Sequence, residues 1–186
     1  MVGITGHRMA GSRVLYVIAC AAGPAGTVGV LVERAHQEGW TVCLVATPNA
    51  RAFIDLTALE QLTGWPVRVE QRAPVEVSPL PPADAILVAP ATFNTINKWA
   101  AGVSDTLALG LINEAIGMGI PVVAMPFVNS ALAAHPAFTS SVERLRLAGV
   151  EVIFCPGEPH PPGGGGPFAE AFAWHLGLVA LRARRS

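Results

Sequence analysis

The stretch Ala89-Pro90-Ala91-Thr92-Phe93-Asn94-Thr95-Ile96-Asn97-Lys98-Trp99 packs hydroxyls, carboxamides and aromatic rings into one short segment. A planar heteroaromatic ligand needs that mix, with amide donors and acceptors for its edge and an apolar surface for its face. The same Asn and Thr side chains could instead cap a helix. A second stretch, Ala21-Ala22-Gly23-Pro24-Ala25-Gly26-Thr27, is made of small residues and opens a helix. Backbone N–H groups there could face a phosphate, helped by the helix dipole; close packing of a small-residue turn explains the same composition. It lacks the Lys of a Walker loop and the spacing of a GxGxxG fingerprint, so a flavin suits the pair of segments better than a nicotinamide dinucleotide. Thr47 could add a hydroxyl. In the segment 155–167 a run of glycines could hinge a lid; an ordinary surface loop fits equally well. The histidines are dispersed and no CxxC or HxxxH spacing occurs, so no metal site is expected.

These segments need elements to hold them. Short apolar runs at 14–19, 41–46, 67–69, 85–89, 121–125 and 150–154 read as strands buried on both faces. Between them lie helical patterns at 27–38, 55–63, 104–116, 136–147 and 168–182, several stopped by glycine (Gly39, Gly64, Gly149). Ser104 is a candidate cap, and His135 before Pro136 a helix-entry residue. The alternation of strands with helices predicts an α/β chain: a single Rossmann-like, doubly wound domain with a six-stranded parallel sheet and helices on both faces. Its expected strand order is 3-2-1-4-5-6. The winding then reverses between the first and fourth strands, and a crevice opens at their carboxyl ends. The two ligand-suited segments follow those two strands.

The chain has 186 residues, 52% of them hydrophobic and 13% charged, with formal net charge −1. This predicts one folded domain over 13–183 behind a leader at 1–12, and excludes a disordered chain. The charge balance argues against a nucleic-acid partner. So few charges cover a surface poorly, which predicts burial of part of it in a homo-oligomer. Residues 14–32 are almost wholly apolar, yet Gly23-Pro24-Ala25-Gly26 interrupts them, so a buried strand entering a glycine loop is preferred to an exported or membrane-spanning segment. Three cysteines, Cys20, Cys43 and Cys155, have no framework spacing and read as reduced thiols, the first two within strands, in a cytoplasmic protein. Trp99 is expected to pack in an interface.

The segment 87–98, continued by Ala101-Gly102-Val103-Ser104-Asp105-Thr106-Leu107, resembles the PASANT segment of the homo-oligomeric flavin-containing cysteine decarboxylases. Pro126-Phe127-Val128-Asn129-Ser130-Ala131-Leu132 resembles that family's PxMNxxMW segment, and 41–54 follows its second-strand pattern with Thr47, Ala50 and Phe53 in register. The resemblance implies FMN held between subunits of a trimer, which can assemble further into a dodecamer. It implies cofactor contacts from Ala22, Gly23, Thr47, Phe53, Pro90, Ala91, Thr92, Asn94, Thr95 and Asp105. Asn94 would sit beside flavin and substrate carboxylate, Asn129 would grip that carboxylate, and Cys155, Glu158 and His160 would belong to a substrate clamp at 155–167. The implied reaction oxidises a cysteine to a thioaldehyde, loses CO₂ and leaves an enethiol.

The chain departs from the family at some positions. Where decarboxylases of the family carry a histidine before the fourth strand, Val75 or Glu76 stands here, so Glu76 is the candidate base. The family's first-loop Ser aligns with Ala22, and the methionines of PxMNxxMW are Val128 and Leu132. The preferred expectation is oxidative decarboxylation of a peptide ending in cysteine. Alternatives are a phosphopantothenoylcysteine decarboxylase-like, flavin reductase or prenyltransferase-like enzyme, and a non-catalytic FMN-binding partner subunit.

Overall fold

The apolar runs form one parallel sheet. The computed structural model describes residues 11–71, 78, 80–163 and 165–184; Glu76 lies outside them, as do residues 1–10 of the expected leader. The strands are β1 (Arg13–Ala19), β2 (Trp40–Ala46), β3 (Ala85–Ala91), β4 (Val122–Pro126) and β5 (Glu151–Val152), in the order β2-β1-β3-β4-β5. Every residue of β2, β3 and β4 is buried, because helices cover both faces and leave no polar side to alternate with.

Side chains of successive strand residues point to opposite faces. Val14, Tyr16 and Ile18 pack with Ile96, Trp99, Leu109, Ile112, Phe138 and Val142, which belong to α3 (Phe93–Ala100), α4 (Leu107–Gly117) and α6 (Pro136–Leu147). Leu15, Val17 and Ala19 pack with Leu31, Val32, Leu178 and Leu181, on α1 (Val28–Gln37) and α8 (His175–Ala183). The smaller helices are α2 (Leu56–Thr63), α5 (Ser130–Ala133) and α7 (Gly165–Glu170). Helix α8 lies so close to the sheet that a Cβ on Gly177 would meet Leu87 and the Met125 sulfur at 2.8 Å.

Among the described residues the sheet has five strands, not the six expected. Residues 67–69 reach the outer edge of β2 only as a single parallel bridge, Val45 to Arg68, with Ala46 N–H on the Arg68 carbonyl at 2.8 Å. Glu70 and Gln71 follow at once, so just Val69 gains burial there, beside Ala46 and Ala50. The expected helix 168–182 is two helices. Phe172 and Trp174 turn inward between them, their rings 4.7 Å apart, and the Trp174 indole N–H donates to Thr27 Oγ1 at 3.3 Å. Thr106, not Ser104, caps α4. Trp99 is 2% exposed and fills the chain's own core instead of an interface. Cys20 follows β1 instead of lying within it. Among the described residues, no helix is long and apolar enough to cross a membrane.

Candidate functional site

A cleft of about 380 Å³ opens at the carboxyl ends of β1, β2 and β3, where the strand order reverses. Ala21 lines it from the β1 exit; Thr47, Pro48 and Asn49 from the β2 exit; and Thr92, Asn94, Thr95 and Lys98 from the β3 exit and α3. Thr106 and Leu109 of the α4 end complete it.

The β3 exit is built by its own hydroxyls. Strand β3 runs two residues past its expected end, because the Pro90 carbonyl accepts the Cys20 N–H at 3.1 Å and the Ala91 carbonyl accepts the Phe127 N–H at 2.9 Å. Thr92 then caps α3, its Oγ1 accepting the Thr95 N–H at 3.2 Å. Thr95 Oγ1 lies 3.0 Å from the Thr92 hydroxyl and donates to Cys20 Sγ at 3.4 Å. Both hydroxyls are therefore spent on the turn. Burial pushes the Cys20 thiol pKa up, so this sulfur stays a neutral acceptor. Asn94 remains exposed on the cleft wall, and Lys98, one helical turn on, stands on the same side paired with Asp105.

The β4 exit carries Asn129 and lies beside the β3 exit. Asn129 Oδ1 accepts the Leu132 N–H at 2.9 Å and caps α5, and Asn129 is not among the residues that line the cleft. Residues from the segment after β5 hold this exit: Ser130 N–H donates to the His160 carbonyl at 2.7 Å, and His160 N–H to the Val128 carbonyl at 3.2 Å. Glu158 Oε2 accepts the Val128 N–H at 3.3 Å, while its Oε1 is buried without a hydrogen-bond partner. Desolvation raises the Glu158 carboxyl pKa, against the pull of the Val128 N–H and of His160. The His160 ring packs 4.6 Å from the Phe127 ring, and its Nδ1 lies 2.9 Å from the Pro161 carbonyl. That nitrogen carries the proton, because a carbonyl can only accept.

The residues singled out by sequence divide into groups. Thr47, Thr92, Asn94 and Thr95 converge on the cleft. Pro90 and Ala91 are buried strand backbone beside it, and Asp105 reaches it through Lys98. Ala22 is buried on the α1–α8 side. Gly23 faces α7, where a Cβ would sit 2.9 Å from Ala169 Cβ; neither lines the cleft, which Ala21 does. Phe53 is 44% exposed. Cys155 and His160 are buried; desolvation raises the Cys155 thiol pKa, and that of Cys43 is pushed up to about 12. His135 caps α6, its Nδ1 accepting the Ala137 N–H at 3.1 Å. Ala21 and Lys98 line the cleft from within the two segments that the sequence marked as ligand-suited, whereas Pro48, Asn49, Thr106 and Leu109 are cleft residues that sequence reasoning did not single out. One signal was available: Pro48 and Asn49 follow Thr47 at a strand exit.

The Flavoprotein family model matches residues 4–167. The coenzyme A biosynthesis bifunctional protein CoaBC of Thermococcus kodakarensis is 34% identical over 128 residues, 66% of this chain and 32% of that protein. The chain thus spans about a third of the length of that relative. The FMN-dependent cysteine decarboxylase SpaF superposes with a TM-score of 0.65 and 25% identity, covering 78% of this chain and 85% of SpaF. TvaF, an FMN-dependent cysteine decarboxylase from thioviridamide biosynthesis, shares the fold with a TM-score of 0.69 at 22% identity, over 87% of this chain and 98% of TvaF. A parallel sheet with its cleft at the point of strand reversal, the PASANT-like turn on that cleft and a family match over most of the length agree: the chain belongs to the Flavoprotein family of homo-oligomeric flavin-containing cysteine decarboxylases.

Proposed function

We propose that the protein is an FMN-dependent decarboxylase acting on a C-terminal cysteine of a peptide, releasing CO₂ and two hydrogen atoms and leaving an enethiol. The observation that carries this is the presence of an asparagine on each of two adjacent strand exits, Asn94 on the cleft wall and Asn129 capping α5.

The donor set suits FMN. Thr47 has no capping bond to its own helix turn, so its hydroxyl serves a phosphate together with the Asn49 N–H; Pro48 has none, and that of Ala50 donates to the Thr47 carbonyl. Asn49 and Asn94 offer amide edges, and Ala21, Pro48 and Leu109 offer apolar contact. Bound there, FMN supplies the two-electron oxidation of the cysteine side chain. Asn94 orients the cysteine against the ring. Asn129 Nδ2 donates to the substrate carboxylate and holds it for departure as CO₂. Asp105 partly neutralises Lys98 and so keeps the cleft from becoming strongly cationic.

Trimeric assembly, with FMN between subunits, belongs to the same reading. It is supported by an apolar surface around α4, where Leu107, Leu111 and Ile116 are only partly buried and Val103 and Met118 are exposed. Identity to CoaBC favours a second reading, a small phosphopantothenoylcysteine-like substrate.

The test is direct. The purified chain should be yellow, with an FMN spectrum. Mixed with a synthetic peptide ending in cysteine, it should yield a product lighter by one CO₂ and two hydrogen atoms. A colourless protein that does not take up FMN would end the proposal. Turnover of phosphopantothenoylcysteine alone would establish the second reading.

A further inference from the structure

Glu158 lies within the segment 155–167, and its part of that segment is docked on the β4 exit. The His160 backbone makes a parallel bridge to Asn129, gripping Val128 and Ser130 on either side of it. Glu158 adds a side-chain bond from 30 residues away, Oε2 on the Val128 N–H. Its own N–H donates to the Cys155 carbonyl at 3.0 Å, closing a turn that aims the carboxyl at β4. The His160 ring fills the space between the Phe127 and Phe168 rings. The Asn129 side chain has one local bond, its cap on a helix of four residues, and so short a helix fixes little by itself.

We propose that Glu158 is a positioning residue for Asn129: its carboxylate on the Val128 N–H, with the His160 backbone pair, latches the β4 exit so that the Asn129 amide is held ready for the substrate carboxylate. The latch stands on geometry alone; its consequence for substrate rests on the cysteine decarboxylase reading.

The test compares the FMN-loaded full chain with Glu158→Ala, Glu158→Asp and Glu158→Gln. Asp keeps the charge and loses reach, whereas Gln keeps reach and an acceptor oxygen. Amide exchange over 127–132 should speed up about tenfold in the Ala and Asp variants, as expected when one side-chain hydrogen bond is lost, and return close to wild type in Gln, whose amide oxygen accepts from the same N–H. With a synthetic peptide ending in cysteine, KM should rise about fivefold in Ala and Asp while kcat stays within about twofold, and Gln should restore KM. A merely structural role would lower kcat, FMN content and thermal midpoint together and leave Gln no better than Ala. Unchanged exchange in both Ala and Asp overturns the latch, and faster exchange with unchanged KM overturns its role in positioning. If wild type does not turn over the peptide, the function reading fails, and the exchange measurement still decides the latch.

Discussion

The β3 and β4 exits lie side by side, joined by the Phe127 N–H on the Ala91 carbonyl, yet they are held in opposite ways. The β3 exit is local. Thr92 caps α3 three residues on, and beyond that turn the exit is tied only to the neighbouring strand exits, through the Cys20 N–H and sulfur and the Phe127 N–H. The β4 exit depends on residues some thirty positions later, Glu158 and His160. A locally capped turn is as rigid as the helix that it starts. An exit held from outside keeps its geometry only while the outside segment stays docked. One asparagine therefore sits on a fixed wall and the other on a wall that can be released.

The largest effect should come from the fixed wall. Asn94→Ala should reduce turnover of a cysteine-ending peptide by about 10²–10³, as for loss of one preorganised donor at a reacting centre. The visible FMN spectrum should persist. Mass analysis of the peptide after incubation measures the loss, and turnover within a few-fold of wild type would remove Asn94 from the chemistry.

Next comes the outside support itself. A Cβ on Gly23 would meet Ala169 Cβ of α7 at 2.9 Å and Phe127 at 3.6 Å. Gly23→Ala should push α7 off the β1 and β4 exits at a cost of about 1–3 kcal/mol. Early proteolytic cleavage within 155–170, ahead of global unfolding, is the expected signature. A global drop in stability with no new cleavage site would mean that α7 gives way without releasing the loop.

Smaller and purely local, Thr92→Ala removes the α3 cap and should cost about 1 kcal/mol. That lowers the thermal midpoint by about 2–4 °C for a chain of this size. Exchange over 127–132 should not change, because the β4 exit does not use that hydroxyl. If exchange there rises as well, the two exits are coupled and the contrast drawn between them is wrong.

The same local-versus-distant division decides what could be read from sequence. The strands, their order around the reversal and the cleft position followed from apolar runs and the direction of winding, and the structure agrees. Thr92, Asn94 and Thr95 were identifiable because cap, turn and ligand face all fall within a few residues. The missing sixth strand failed on composition: Val67 and Val69 look like a strand, but Glu70 and Gln71 allow only one bridge to Val45. The split of the last helix was hidden because Phe172 and Trp174 suit a helix face equally well, and what turns them inward is a hydrogen bond to Thr27. The docking of Glu158 and His160 on the β4 exit had no sequence signal, since both were legible only as members of a Pro- and Gly-rich loop.

The smallest effect concerns the ionisation of the latch. Burial raises the Glu158 carboxyl above its ordinary 4.5, only partly offset by the Val128 N–H and by His160; Cys155 is the other titratable neighbour. The folded protein thus holds this proton more tightly than the unfolded chain does. The resulting stabilisation is complete below the unfolded pKa and is lost as pH rises through the folded one. Glu158→Gln is neutral throughout and escapes that loss. Its thermal midpoint relative to wild type should therefore climb between about pH 4 and pH 7, by roughly 1–2 °C, a modest shift because the group keeps part of its contact with water. Comparing the two pH values cancels any constant penalty from burying the second amide group. A midpoint difference that is flat with pH, or that falls, would mean that the carboxylate is better paired in the folded protein than the unpartnered Oε1 implies, and that the β4 exit is held more firmly than its distant anchors suggest.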